Sequence, residues 1–322
     1  MRSSGTNVVV AAFLAALAPA PALAAGSAGA TPFNFIFLDA DARPVALGGA
    51  YAALAGDANA LLYNPAGLGA LKSHQLTLMH SQYFQGITQE YAAFAYNVGE
   101  SDQYNENRFG NGYTGRRQGW GVMINTLSFG AIQRTTLSNP DGTGLSNFGL
   151  RDSVAAFGYG VQVRPGFSVG AAVKGFYETV DNASLSAPAA DAGLLYAPGG
   201  LPLSFGLTAQ NLGPGARTRG SSGAEPLPAA VRAGAAVFVG SGGLLSFDVV
   251  EARGGRPAIH AGAEYATFGR LALRAGYDGK NEAGPGVTAG LGVLLPGASV
   301  NYAFVPFGVL GDAHRISLEF HW

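Results

Sequence analysis

Along the final stretch of the chain every second residue is apolar. Ile316, Leu318, Phe320 and Trp322 alternate with Arg315, Ser317, Glu319 and His321, so an extended backbone shows the first set to one side and the second to the other. One apolar row and one charged row suit a strand standing between lipid and a polar lumen. The same split recurs upstream. Ile259, Ala261, Ala263 and Tyr265 alternate with His260, Gly262 and Glu264, and Leu271, Leu273, Ala275 and Tyr277 alternate with Arg274, Gly276 and Asp278. Such segments follow one another from about residue 73 with no helical pattern between them. They predict about fourteen strands, among them 152–164, 189–197 and 313–322.

The breaks between these segments have the chemistry of tight turns. Arg164-Pro165-Gly166 and Leu295-Pro296-Gly297 each combine a fixed φ with a permissive glycine. Residues 99–117 and 130–150 are longer and polar and read as solvent-facing loops. Ahead of the first strand the rhythm changes. Residues 44–62, rich in Ala, Leu and Gly, predict a short helix that Asn64-Pro65 ends. A ring of fourteen strands is wider than side chains alone can fill, so this segment is expected to fold back inside it as a plug.

Composition sharpens the picture. Charged residues are only 12% of the 322, hydrophobic ones 48%, and 49 are glycine. So few charges would leave a soluble fold short of polar cover, whereas a barrel whose outer wall faces lipid needs few. After residue 17 no apolar run approaches the roughly 20 residues of a spanning helix, and only a closed barrel otherwise satisfies backbone groups in lipid. A formal net charge of −1 gives no basic field for nucleic acid. The absence of cysteine excludes disulfides, thiolate sites and a lipoprotein anchor.

The first residues read as an export signal. Arg2 precedes an uncharged apolar run over 8–17, and Ala22-Leu23-Ala24 offers small residues for cleavage. The expected organisation is therefore a signal peptide at 1–24, a plug at 25–71 and one closed antiparallel transmembrane β-barrel at 72–322.

Reactive chemistry is scarce. There is no phosphate loop, no His-Glu-x-x-His and no Gly-x-Ser-x-Gly elbow, and the five histidines lack metal-ligand spacing. No catalytic residue, metal site or cofactor is expected. The inward rows do carry charge: Arg232, Asp248, Glu264, Arg274 and Glu319 would project into the lumen from different strands. They read as a polar network bracing the plug or, alternatively, lining a solute path.

Two stretches resemble known outer-membrane proteins. Residues 41–68, with Gly48-Gly49, Asp57 and Asn64-Pro65-Ala66, look like the N-terminal hatch of FadL-like barrels. Residues 302–318 begin Tyr302-Ala303-Phe304-Val305-Pro306-Phe307-Gly308 and continue through Gly311-Asp312-Ala313-His314-Arg315. They resemble the C-terminal hairpin of the PorV/PorQ family within the same superfamily, as do Asn211-Leu212-Gly213-Pro214-Gly215 and Glu225-Pro226-Leu227-Pro228. The resemblance implies Asn64, Pro65 and Ala66 as a hatch motif, with Gly48, Gly49 and Asp57 in the same plug. It implies the outer membrane of a diderm bacterium and two roles: passage of hydrophobic, fatty-acid-like molecules, or a PorV-like accessory role in type IX secretion or surface attachment. The partners implied are outer-membrane lipid, the barrel-assembly machinery, and a hydrophobic small molecule or secretion-system proteins.

Phe320 and Trp322 resemble the terminal aromatics by which such barrels are recognised for assembly, and an aromatic strand end sits well at the lipid–water boundary. Deleting residues 320–322 should sharply lower the heat-modifiable protein in outer-membrane fractions; wild-type levels would refute this reading of the last strand.

Overall fold

A computed structural model describes residues 32–99, 117–218, 224–267 and 269–322. The expected signal peptide and most of the loop at 99–117 lie outside them. Within the described residues, fourteen strands of eight residues or more make up the wall. They are β1 (Gln75–Gln82), β2 (Thr88–Asn97), β3 (Gln118–Ile132), β4 (Phe148–Arg164), β5 (Phe167–Val180), β6 (Ala183–Tyr196) and β7 (Leu203–Leu212), then β8 (Ala230–Val239), β9 (Gly243–Ala252), β10 (Ala258–Thr267), β11 (Leu271–Asp278), β12 (Val287–Leu295), β13 (Ala298–Pro306) and β14 (Asp312–His321). A two-residue strand, Arg217–Thr218, leans on β6 outside this ring. Every strand pairs antiparallel with its neighbours in sequence, and β14 returns to β1 through pairs such as Leu78↔Leu318 and His80↔Ile316. The ring is closed, so the barrel has no free edge, as a structure spanning lipid requires.

The alternation seen in the sequence is the inside–outside pattern of this wall. On β14 Ile316 and Leu318 are 54% and 40% exposed, while Arg315 and Ser317 are 3% and 0% exposed. Val122, Phe157, Val173, Leu245, Ile259 and Leu291 continue the apolar outer face around the ring. At the end where the described chain leaves β14, Phe94, Tyr96, Trp120, Phe157 and Trp322 form an aromatic patch, with Tyr96 and Trp120 stacked at 5.5 Å. Aromatics gather in this way at a lipid–water boundary.

Two expectations need correction. Residues 130–150 are not all loop: β3 runs to Ile132 and β4 starts at Phe148, because the ladder resumes beyond a register shift with Ala131↔Gly149 and Ile132↔Phe148. β6 likewise begins at Ala183 and not near 189. As a result β3 to β6 have 15, 17, 14 and 14 residues. About 9–11 residues cross a bilayer, so these four strands stand proud of the rest at the end opposite the aromatic patch.

The segment ahead of β1 lies inside the ring. It is not the single helix expected over 44–62. Gly48 and Gly49, at φ +64° and +80°, turn the chain after α1 (Ala42–Ala46), and helix resumes only in α2 (Ala60–Tyr63) and a 3-10 turn at Pro65–Ala70. Leu47, Tyr51, Leu61, Tyr63 and Leu68 are buried against the wall.

Glycines on the inner face make room for this segment. A Cβ on Gly206 would run into the Ala52 carbonyl, one on Gly170 into Pro65, one on Gly193 into the Asn64 carboxamide and one on Gly276 into the Gly48 amide. These positions belong to β7, β5, β6 and β11, so the plug is seated on several sides at once. Replacing Gly170 or Gly206 by Leu should dislodge the plug at a cost of about 1–3 kcal/mol without preventing barrel closure. Plug peptides should then exchange amide hydrogen faster while heat modifiability stays normal; unchanged exchange would show that these glycines carry no seat.

Candidate functional site

Asn64, Pro65 and Ala66 form a joint between the inner segment and the wall. Asn64 accepts a hydrogen bond from the Ala66 amide at 3.1 Å, which caps the turn that Pro65 begins. Its Nδ2 donates to the carbonyl of Ala52 within the plug at 3.0 Å and to that of Leu194 on β6 at 2.9 Å. Ala66 is fully buried. One side chain therefore ends a helix, starts a turn and ties both to the barrel.

The five inward charges fall into two clusters, each completed by the plug. In the first, Asp248 accepts from Arg232 at 3.2 Å and from the amides of Tyr51 and Ala52 at 3.0 and 2.9 Å. Arg232 also donates to the Gly49 carbonyl at 2.5 Å and lies over the Tyr63 ring. In the second, Glu264 takes both Nε and Nη2 of Arg43 at 2.9 Å and Nε of Arg274 at 2.6 Å. Arg274 donates to Asn301 at 2.7 Å, and Asn301 donates to Glu319 at 2.9 Å. Sequence reading missed Arg43, Tyr51 and Asn301. Asn301 stood in an inward row, but Arg43 and Tyr51 lie in a segment with no strand period to orient them.

Asp57 closes a small polar knot in the plug, accepting from the Tyr51 hydroxyl and, at 2.9 Å, from the Asn59 amide. Burial pushes its carboxyl up to about 6, against which the Tyr51 hydrogen bond works. Asp41, with φ +66°, accepts from Asn59 at 2.7 Å, and burial followed by repulsion from Glu319 lifts it well above the usual carboxylate range.

Above the plug, at the end where β3 to β6 stand proud, the lumen widens into a cleft of about 760 Å³. Its walls are Leu127 and Phe129 of β3, Leu150 of β4, Val180 of β5 and Leu185 of β6; Phe33, Phe35 and Leu38 of the plug form the floor. Phe176 of β5 anchors that floor, stacked on Phe33 at 5.0 Å and meeting Phe35 edge-on at 6.5 Å. The volume and the aromatic lining are those of a small-molecule site. Three carboxylates, Asp152, Glu178 and Glu225, also reach the cleft. Sequence reading missed this pocket: of its lining only Leu150 falls in the stretch 130–150 read as loop, and the rest come from elements far apart along the chain that only the closed ring brings together.

Beside the cleft the ladder between β6 and β7 is irregular. β7 has its last partner where Leu212 meets Ala190, after a register shift at which Asn211 takes φ +57°. A buried knot holds this bend: the Asn211 amide donates to Asp191 at 2.7 Å, and Lys174 donates to Asn211 at 3.0 Å and pairs with Asp191 at 2.6 Å. Beyond it, among the described residues, β6 over 183–189 pairs on that side at Leu185 and Ser186, with Thr218 and Arg217.

No family model matches the chain, and no curated protein sequence matches it significantly. Solved structures do. The toluene transporter TbuX of Ralstonia pickettii aligns with TM-score 0.57 at 14% identity, over 88% of this chain and 98% of TbuX. A deltaS2 mutant of the monoaromatic hydrocarbon channel TodX aligns with TM-score 0.54 at 14% identity, over 87% of this chain and 97% of that one. At such identity what is shared is the fold, a closed antiparallel β-barrel. Both neighbours are named as transport proteins and neither as an enzyme.

The raised value of Asp57 sets a pH dependence for the plug. A carboxyl with a folded value near 6 against an ordinary 3.8 favours docking most below the ordinary value, and the advantage is lost as pH rises through about 6. Hydrogen-exchange protection of plug peptides, corrected for intrinsic rates, should fall between about pH 4 and 7, and Asp57→Asn should flatten that fall. A slope unchanged in the variant would remove Asp57 as its source.

Proposed function

We propose that the chain is an outer-membrane channel that takes a hydrophobic small molecule into the cleft and passes it through the wall. The observation that carries this reading is the cleft itself: an apolar cup floored by the plug at the end of the barrel away from β14's C-terminus. In barrels whose termini lie on the periplasmic side, that end faces the exterior. The irregular ladder between β6 and β7 lies next to Leu185 in the cleft wall and supports an exit to the side there. The names of the structural neighbours, a toluene transporter and a monoaromatic hydrocarbon channel, fit a hydrophobic cargo.

In this reading the plug is the gate. Arg43–Glu264–Arg274 and Arg232–Asp248 hold it, Asn64 joins it to β6, and Phe33 and Phe35 couple its upper end to the cleft. A ligand packed on those rings would act on the same segment that the ion pairs restrain. The cleft supports small molecules over the secretion role that the resemblance of residues 302–318 to the PorV/PorQ hairpin implied.

The test is uptake of radiolabelled toluene by cells of a strain without its own hydrocarbon channels. Expression should raise the initial rate several-fold, and Leu127→Asp should abolish the gain by placing a charge in the apolar wall. An unchanged rate with heat-modifiable barrel present in the outer membrane would overturn the proposal.

A further inference from the structure

The charge around the cleft is one-sided. Asp152 and Glu178 are directly opposite each other on β4 and β5, both facing inwards, and Glu225 approaches from the connection after β7. None of the described residues lining the cleft is basic. Two described cations nearby are engaged elsewhere: Lys174 with Asp191 and Asn211, and Arg134 with Asp181. Asp152 is only 7% exposed, and its Oδ1 is buried with no hydrogen-bond partner among the described residues.

Such an arrangement is costly when empty. When both are ionised, two carboxylates directly across a strand pair repel, and a buried acceptor without a donor forfeits its hydration. A hydrophobic molecule with a cationic, hydrogen-donating head relieves both costs while its body fills the space among Phe33, Phe35, Leu127 and Leu150. A carboxylate head does the opposite, since it adds a further negative charge where no cation meets it. A neutral head gains only the apolar contacts.

We infer that the cleft selects hydrophobic amines in their ammonium form, the head held between Asp152 and Glu178 and the apolar body against the Phe33 and Phe35 floor. This rests on the passage reading and names its cargo class. It also turns the site away from the fatty-acid-like cargo that the hatch resemblance implied. Glu178 is the outer partner of the pair, and Glu225 adds field at the mouth.

The experiment compares three probes of equal chain length, dodecylamine, dodecanol and dodecanoate, by titration calorimetry. The barrel is held in nanodiscs of zwitterionic lipid, and empty nanodiscs are subtracted. Dodecylamine should bind at least about tenfold more tightly than dodecanol, with dodecanoate weakest, since juxtaposed like charges cost several kcal/mol. The double variant Asp152→Asn with Glu178→Gln should lose the amine preference and keep dodecanol binding; heat modifiability shows that it has folded. Equal binding of amine and alcohol, or a preference that survives in the variant, would overturn the amine selection and leave passage of neutral molecules standing. Binding of none of the three would overturn both.

Discussion

Lipid leaves a backbone amide or carbonyl no partner, so the sheet must close on itself, and at fourteen strands the closed ring encloses more space than its own side chains fill. The contact between plug and inner wall answers that constraint, and much of the structure follows from it. Gly170, Gly193, Gly206 and Gly276 leave no Cβ on the wall, so plug backbone lies directly against strand backbone. Glycine in a strand sacrifices local stability; here the contact area gained with the plug offsets it. At these positions glycine reflects close approach of two layers, and not looseness of either.

Shape alone would let such a plug turn or slide, and the inward charges fix its register. Arg43 meets Glu264 in paired hydrogen bonds, and Asp248 receives two consecutive plug amides as well as Arg232. Buried pairs of this kind add little net stability compared with an apolar contact of the same shape, but losing one partner strands the other. They act as keys for one docked position. The same property suits a gate, because a seat fixed by a few directional contacts is released as a unit when those contacts are given up.

The cleft sits where two departures from the regular barrel coincide. β3 to β6 continue past the height at which other strands turn, and β7 leaves the wall early at Leu212. Together they raise a partial collar on one side, and the N-terminal end of the plug closes it from below. The two features of the cleft, an apolar body and an acidic rim, come from successive inward positions on the same strands: Leu150 and Asp152 on β4, Glu178 and Val180 on β5. In the proposed function binding and gating meet in one place, since Phe33 and Phe35 are both floor of the cleft and part of the plug.

The sequence by itself determined the class of fold, because a strand's side chains alternate with a period of two whatever surrounds it. Ile316 and Leu318 against Arg315 and Ser317 could be assigned to lipid and lumen from their order alone. The same rule placed Arg232, Asp248, Glu264, Arg274 and Glu319 on the inner face. The tertiary structure decided what those charges meet. Arg43 and Tyr51 lie in a segment of turns and four- or five-residue helices, where no period tells which way a side chain points. Strand ends were also beyond the pattern: Gly149 and Arg151 look like loop residues until β3 supplies their ladder partners. So the cleft stayed hidden, because Asp152, Glu178, Leu127 and Phe33 are far apart along the chain, and only closure of the ring and entry of the plug bring them together.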